Sequence, residues 1–387
     1  MELTWRGFEA PAVKRRVLLF SPCAVLILLV VHLTISQAFA ADSGSKISFV
    51  KSDQTLGDTR SFGFDIGDVD LDGDVDVFIA NYIGPSRLWL NDGHGHFTMS
   101  EQVFSANGGL SEAHDAAMGD LNGDRYPDIF VIFHNKPSRV FLNDGTGQFR
   151  ESGQDIGGLK DYPQTVQLAD VDGDGDLDAM IYNYKSTNSF WYNDGTGQFK
   201  QGDVNYGGDG SKGNLLVDLT NDSLPDMYII MRSEPNPIWI NQGDGTLVFA
   251  QNDLDSSPEC VQSGDVDGDG DTDLILVEYR QMIIRLNQNH TGTFQSGSIL
   301  NDGGVRATLF DADGDGDLDI ATAHRENGNT LWINDGHGSF KSLGTVFGME
   351  RSFGYRCCDL DGDGDLDVVM CQAEGTGGNS IYFNETK

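Results

Sequence analysis

Five aspartates fall within nine residues at 170–178 (DVDGDGDLD), and near copies stand at 311–319 (DADGDGDLD) and 359–367 (DLDGDGDLD). Carboxylates at this density repel one another unless a cation is held among them. Aspartates at loop positions 1, 3, 5 and 9 can surround one hard cation, the carbonyl of position 7 adds an oxygen, and a glycine at position 6 lets the backbone turn. Calcium takes six to eight such oxygens with tolerant geometry, whereas magnesium demands a near-ideal octahedron and is the weaker match.

The motif occurs seven times, beginning at Asp68, Asp120, Asp170, Asp218, Asp265, Asp311 and Asp359. Five copies are complete: Asp68, Asp70, Asp72 and Asp76; Asp170, Asp172, Asp174 and Asp178; Asp265, Asp267, Asp269 and Asp273; Asp311, Asp313, Asp315 and Asp319; Asp359, Asp361, Asp363 and Asp367. Position 7 in these copies is also an aspartate, at Asp74, Asp176, Asp271, Asp317 and Asp365. The second copy, with Asp120, Asn122, Asp124 and Asp128, has Arg125 in place of the glycine and is expected to bind more weakly. The fourth, with Asp218, Thr220, Asp222 and Asp226, has Ser223 there, and its occupancy is left open. Five to seven calcium ions are therefore expected. An EF-hand is excluded at position 12, where its bidentate glutamate should stand but Ile79, Ile181, Leu276, Thr322 and Met370 are found.

The copies are 52, 50, 48, 47, 46 and 48 residues apart, a period that signals a solenoid or a propeller. Each acidic loop leads into a short β-prone run such as DVFIANY or DLILVEY, too short for the paired helices of an α-solenoid. A second run follows, ending in an Asn-Asp-Gly turn as in RLWLNDGHGHF, and the phenylalanine beyond it starts another strand. One strand before the acidic loop, one after it and two around the turn make four per repeat. The predicted fold is all-β, a seven-bladed propeller of four-stranded antiparallel blades. The last repeat stops at SIYFNETK, before an outer strand, while KISFVKS at 46–52 resembles the outer strands GQFRESG and GSFKSLG. The N-terminal segment is thus predicted to complete the last blade and close the ring.

The 387 residues include 60 acidic and 25 basic ones, a net charge of −35 that argues against a nucleic-acid partner. Lys14, Arg15 and Arg16 precede an apolar run from Val17 to Leu33 and the small-residue stretch AFAAD. This pattern predicts a signal peptide over 1–40, cut after Ala40, and a propeller over 41–387; an uncleaved membrane anchor is the alternative. The mature chain is expected to be a monomer with no membrane span, secreted, periplasmic or on the cell surface. Cys260, Cys357, Cys358 and Cys371 follow the cut. Either Cys371 pairs with one of the vicinal cysteines or the group remains as buried thiols.

The stretches SFGFDIGDVDLDGDVDVFIAN and SFGYRCCDLDGDGDLDVVM resemble the Phe-Gly and calcium-loop elements of the FG-GAP repeat. That repeat builds the integrin α-subunit propeller and occurs in bacterial proteins described as VCBS-like. The resemblance covers about residues 46–387. It implies calcium between the first two strands of each blade on a lower face, with ligands on the opposite, upper face. The Phe-Gly pair is kept only at Phe62-Gly63 and Phe353-Gly354. No leg or transmembrane tail follows, so an integrin-like receptor role is not implied.

Loops on the upper side gather tyrosines together with much of the scarce positive charge, in Tyr82, Arg87, His134, Lys136, Arg139, Tyr184, Tyr279, Arg280, His324 and Arg325. These are the candidate ligand residues, because functional loops usually ride on a rigid scaffold. Trp89, Trp191, Trp239 and Trp332 recur at one strand position and are expected to pack between blades rather than form a sugar platform. No catalytic motif of the Gly-x-Ser-x-Gly or His-Glu-x-x-His kind occurs. The expected function is a non-catalytic, adhesive binding module for a glycan or an envelope protein. A carbohydrate-active lyase or dehydratase and a structural subunit of a surface assembly are the alternatives.

Overall fold

A computed structural model describes residues 47–386, apart from 58–59, 107–111, 159–161, 185, 208–209, 234, 254–255, 325–327, 349–351 and 373–377. The expected signal segment lies outside the described residues. The first strand, β1 (Phe49–Leu56), is followed by β2 (Ser61–Gly67), β3 (Asp76–Asn81), β4 (Arg87–Asn91) and β5 (Phe97–Met99). Strands β2 to β5 form the first blade, in that order from the axis outward. Five further antiparallel sheets repeat the pattern over 113–151, 163–206, 211–253, 260–300 and 306–347.

In the seventh blade Ser352–Cys358, Asp367–Gln372 and Asn379–Asn384 supply the three inner strands, and β1 supplies the fourth. Phe49 pairs with Asn384 and Leu56 with Asn379, so the two ends of the chain close the ring as the sequence predicts. The protein is an all-β, seven-bladed propeller. No helix among the described residues is long and apolar enough to cross a membrane.

The core lies between blades. Each second strand is buried on both faces, as in DVFIAN, because a neighbouring blade covers either side. Phe78, Leu88 and Phe104 of blade 1 meet Met118, Val131, Phe133 and Phe141 of blade 2, and six comparable clusters fill the other interfaces. Trp191 is part of one cluster, and Trp89, Trp239 and Trp332 pack against others. The tryptophans thus serve the blade interfaces.

Two local features depart from a regular ladder. The pairing of first and second strands slips by one residue between Ser61 and Gly63, Ala113 and Asp115, Pro163 and Thr165, Ser211 and Gly213, and Ser352 and Gly354. A bulge therefore stands at the Phe-Gly position of five blades and re-aims Phe62, His114, Gln164 and Lys212. A Cβ on Gly63 would strike the Asp115 carboxylate, which is why a glycine follows Phe62.

The cysteines are not joined through Cys371. It stands opposite Gly354, whereas Cys357 and Cys358 stand further along, opposite Val368 and Asp367. Cys371 is a buried thiol, and burial pushes it up to about 12.

Candidate functional site

Each first strand ends in an acidic loop and each second strand leaves it, so all seven loops share one face with the Asn-Asp-Gly turns. Position 6 adopts a left-handed backbone in every loop: Gly73, Gly175, Gly270, Gly316 and Gly364, but also Arg125 (φ 77°) and Ser223 (φ 71°). There its N–H reaches the position-1 carboxylate, as from Gly175 to Asp170 at 3.0 Å and from Ser223 to Asp218 at 2.7 Å. Position 4 is left-handed as well, at Gly173 (φ 78°) and even at Leu71 (φ 58°).

The position-9 aspartate is the buried post of each loop. One oxygen of Asp178 accepts from Val171 N at 3.1 Å, and the other from Asn193 N at 2.8 Å. The same pair of bonds holds Asp76, Asp128, Asp226, Asp273, Asp319 and Asp367. Burial raises these carboxyls to about 7, and Asp226 to about 6, against the pull of their hydrogen bonds.

The turn asparagine has a role that the turn motif alone does not disclose. Asn193 Nδ2 donates to Leu121 O of the preceding blade at 2.8 Å, and Asn143 does the same to Val69 O at 2.7 Å. Asn91, Asn241, Asn287, Asn334 and Asn384 complete the series, reaching Leu360, Val171, Leu219, Val266 and Ala312. Seven such latches tie every acidic loop to the next blade around the ring. The recurrence of asparagine, where aspartate or glycine would also make a turn, was the available signal.

Three carboxylates come within 4.8 Å of one another in five loops: Asp68, Asp70 and Asp76; Asp170, Asp172 and Asp178; Asp265, Asp267 and Asp269; Asp311, Asp313 and Asp315; Asp359, Asp361 and Asp367. These are the five complete copies. In the other two, Asn122 and Thr220 replace the position-3 aspartate, and no such triplet forms among the described residues. Oδ1 of Asp68, Asp70 and Asp267 is buried with no hydrogen-bond donor. An oxygen-rich set with such orphaned acceptors fits a hard cation. The position-7 side chains turn elsewhere: a Cβ on Gly93, Gly195 or Gly336 of the adjoining turn would strike Asp74, Asp176 or Asp317.

The opposite face carries the β3–β4 loop and its counterparts. Tyr82 lies 4.9 Å from Phe62 and 6.3 Å from His134, ring centre to ring centre. His134 is also 6.0 Å from His114 and 5.2 Å from Tyr162. Phe62 stacks on His114 at 4.7 Å, and the Arg60 guanidinium covers Phe62 at 4.6 Å. Burial, helped by the positive charges of Arg306 and Arg60, lowers His114 to about 4. These half-buried side chains of blades 1 to 3 form an aromatic floor with a cationic edge.

The remaining candidates are scattered. Lys136 is half-buried, and Tyr184 lies under Arg232 at 4.7 Å. Tyr279 and Arg280 stand exposed on the tight turn closed by Glu278 and Gln281. Arg87 donates to the Gln102 carbonyl at the blade edge. His324 is held by Thr322 and Thr330. Arg139 is withdrawn from the surface at 2% exposure, ion-paired with Asp155 and Glu151. Arg325 lies outside the described residues. Arg60, Phe62, His114 and Tyr162 were not foreseen, although the Phe-Gly position had marked two of them.

Residues 68–131, 120–181, 218–276, 265–322 and 311–370 match the FG-GAP-like repeat, and the chain belongs to that family. Among solved structures, a lectin of Agrocybe aegerita that recognises non-reducing terminal N-acetylglucosamine is 23% identical, with a TM-score of 0.56 over 78% of this chain and 81% of its own. The BP39L lectin from Burkholderia pseudomallei is 11% identical, with a TM-score of 0.63 over 84% and 99%. BBS1N, solved in complex with ARL6DN, is 9% identical, with a TM-score of 0.59 over 86% and 96%. At these identities the likeness is one of fold. A comparison with curated protein sequences finds no match.

Proposed function

We propose that this chain is a secreted, calcium-stabilised propeller and a non-catalytic binding module that takes glycans on the face opposite its acidic loops. The observation that carries the reading is the floor of Phe62, Tyr82, His114, His134 and Tyr162. Flat rings beside hydrogen-bonding and cationic groups suit a sugar, which offers an apolar C–H face and a polar rim. Two of the propellers that share its fold are lectins, which agrees with this use of the scaffold.

Calcium would be held by positions 1, 3, 5 and 9 of the five complete loops, together with the position-7 carbonyl. Bound there, it would offset the carboxylate repulsion and stiffen the first hairpin of each blade. Residues 1–40 would act as the export signal, leaving 41–387 as a monomeric propeller.

The test is a glycan array probed with the calcium-loaded protein, and again after chelation. Selective binding that requires calcium is the expected result. A blank array from folded, calcium-loaded protein would overturn the glycan reading and direct attention to a protein partner in the envelope.

A further inference from the structure

Four lysine and arginine side chains of this acidic protein are ion-paired among the described residues. Arg356 meets Asp65 at 3.2 Å, Lys212 meets Glu259 at 2.8 Å, Arg285 meets Asp253 at 3.0 Å, and Arg139 meets Asp155 at 2.7 Å. Among the described residues, no carboxylate lies within ion-pair distance of Arg60, Arg232 or Arg306. Arg60 and Arg306 are half-buried even so, and Arg232 is exposed.

Their places in the fold are alike. Arg60 directly precedes β2, Arg232 directly follows the strand Asp226–Met231, and Arg306 opens the strand Arg306–Phe310. All three thus stand at upper strand ends, in blades 1, 4 and 6. Arg60 covers Phe62 and Tyr82, and its Nε is buried without an acceptor. Arg232 lies over Tyr184, beside the Tyr182 hydroxyl. Arg306 donates through Nη1 to the carbonyls of Glu259 and Val305 at 3.1 and 3.2 Å.

Their fields overlap across the axis. Arg306 and Arg60 both act on His114 of blade 2, and Arg306 and Arg232 both act on Tyr182 of blade 3, where they oppose the rise caused by burial. The bulged Phe62, His114, Gln164 and Lys212 line the same rim.

We infer that this upper axial rim binds the carboxylate of an acidic sugar, the arginines holding the anion while Phe62 and Tyr82 pack against the sugar ring. The inference rests on the glycan reading above and narrows it to uronate-type ligands. A guanidinium presents a planar fork that matches a carboxylate, and a half-buried one lacking a counter-ion gains most from receiving it. The distribution of charge works in the same direction, since the acidic loops of the lower face repel an anion that the rim attracts.

The experiment is calorimetric titration of the calcium-loaded full chain with trigalacturonate and a short hyaluronan oligomer, each beside its carboxyl-reduced counterpart. The acidic forms should bind roughly tenfold or more tightly than the reduced ones, as expected of a charge-assisted hydrogen bond. Their affinity should fall as ionic strength rises. Arg306→Gln and Arg60→Gln should each remove most of the preference for the acid. Arg60 has ring contacts rather than backbone bonds, so its variant remains informative if Arg306→Gln disturbs the Glu259 loop. Thermal melts would verify that both variants fold.

Equal binding of acid and reduced forms, or full acid binding by both variants, would overturn the inference and leave the glycan reading standing. Binding of neither form, together with a blank glycan array, would overturn both.

Discussion

At the scale of single residues, the acidic face depends on buried side chains as much as on its exposed carboxylates. Asn193 illustrates this, since its amide spans from its own loop, at Leu177 O (3.2 Å), to Leu121 O of the preceding blade. Replacing Asn193 with alanine would leave the buried Leu121 carbonyl without that donor. Unmet buried polar groups cost about 1–3 kcal/mol each, so Asn193→Ala should lower the unfolding free energy by about that amount in urea titrations at fixed calcium. A loss below about 0.5 kcal/mol, the range of ordinary surface substitutions, would show that the latch does not contribute to stability.

At the scale of the loop, protons and cations compete for one set of oxygens. Without metal, burial lifts the position-9 carboxyls from 3.8 to about 7, and Asp226 to about 6. Between those values the folded chain keeps protons that the unfolded chain has released, so metal-free stability should fall as pH rises from about 4 to about 7. A cation favours the charged form instead, and its stabilisation should grow over the same interval. Melting temperatures followed through this range, with chelator and with calcium, should therefore diverge as pH rises. Parallel curves would place the cation away from Asp178 and its equivalents.

The same loops show what left-handed backbone requires. Glycine accepts it freely, whereas Arg125, Ser223 and Leu71 adopt it at a steric cost. In loops 2 and 4 this strain coincides with the missing position-3 carboxylate, so two departures from the motif fall on the same hairpins.

At the scale of the whole molecule, closure depends on eight residues of β1 from one end of the described chain pairing with Asn379–Asn384 at the other. Leu56 is fully buried between blades 7 and 1, so β1 contributes to the core as well as to the sheet. Deleting residues 41–56 should uncover the Asn379–Asn384 edge, broaden or abolish the cooperative melt, and promote association through the open strand. Light scattering and calorimetry would read both effects. A truncated protein that stayed monomeric with an unchanged melt would show that the ring does not need this strand.

The seven-bladed ring, its four-stranded units, the face carrying the acidic loops and the five complete carboxylate sets were all legible in the order of residues. Each is written locally and repeated, so a single copy read correctly accounts for the rest. The closing strand was legible for the same reason, as a piece of the repeat displaced to the other end. The opposite face was not, because folding alone brings its side chains together. Arg60 and Tyr162 share one repeat position, and Arg232 shares another with Tyr82 and His134, but the residue types at these positions change from blade to blade, and side chains far apart in the chain come to one rim only because the blades bend around one axis. Arg139, equally promising as a loop cation, was claimed by Asp155 and Glu151. Which charges remain for a ligand is decided by the distances that the closed ring imposes, and loop composition does not encode those distances.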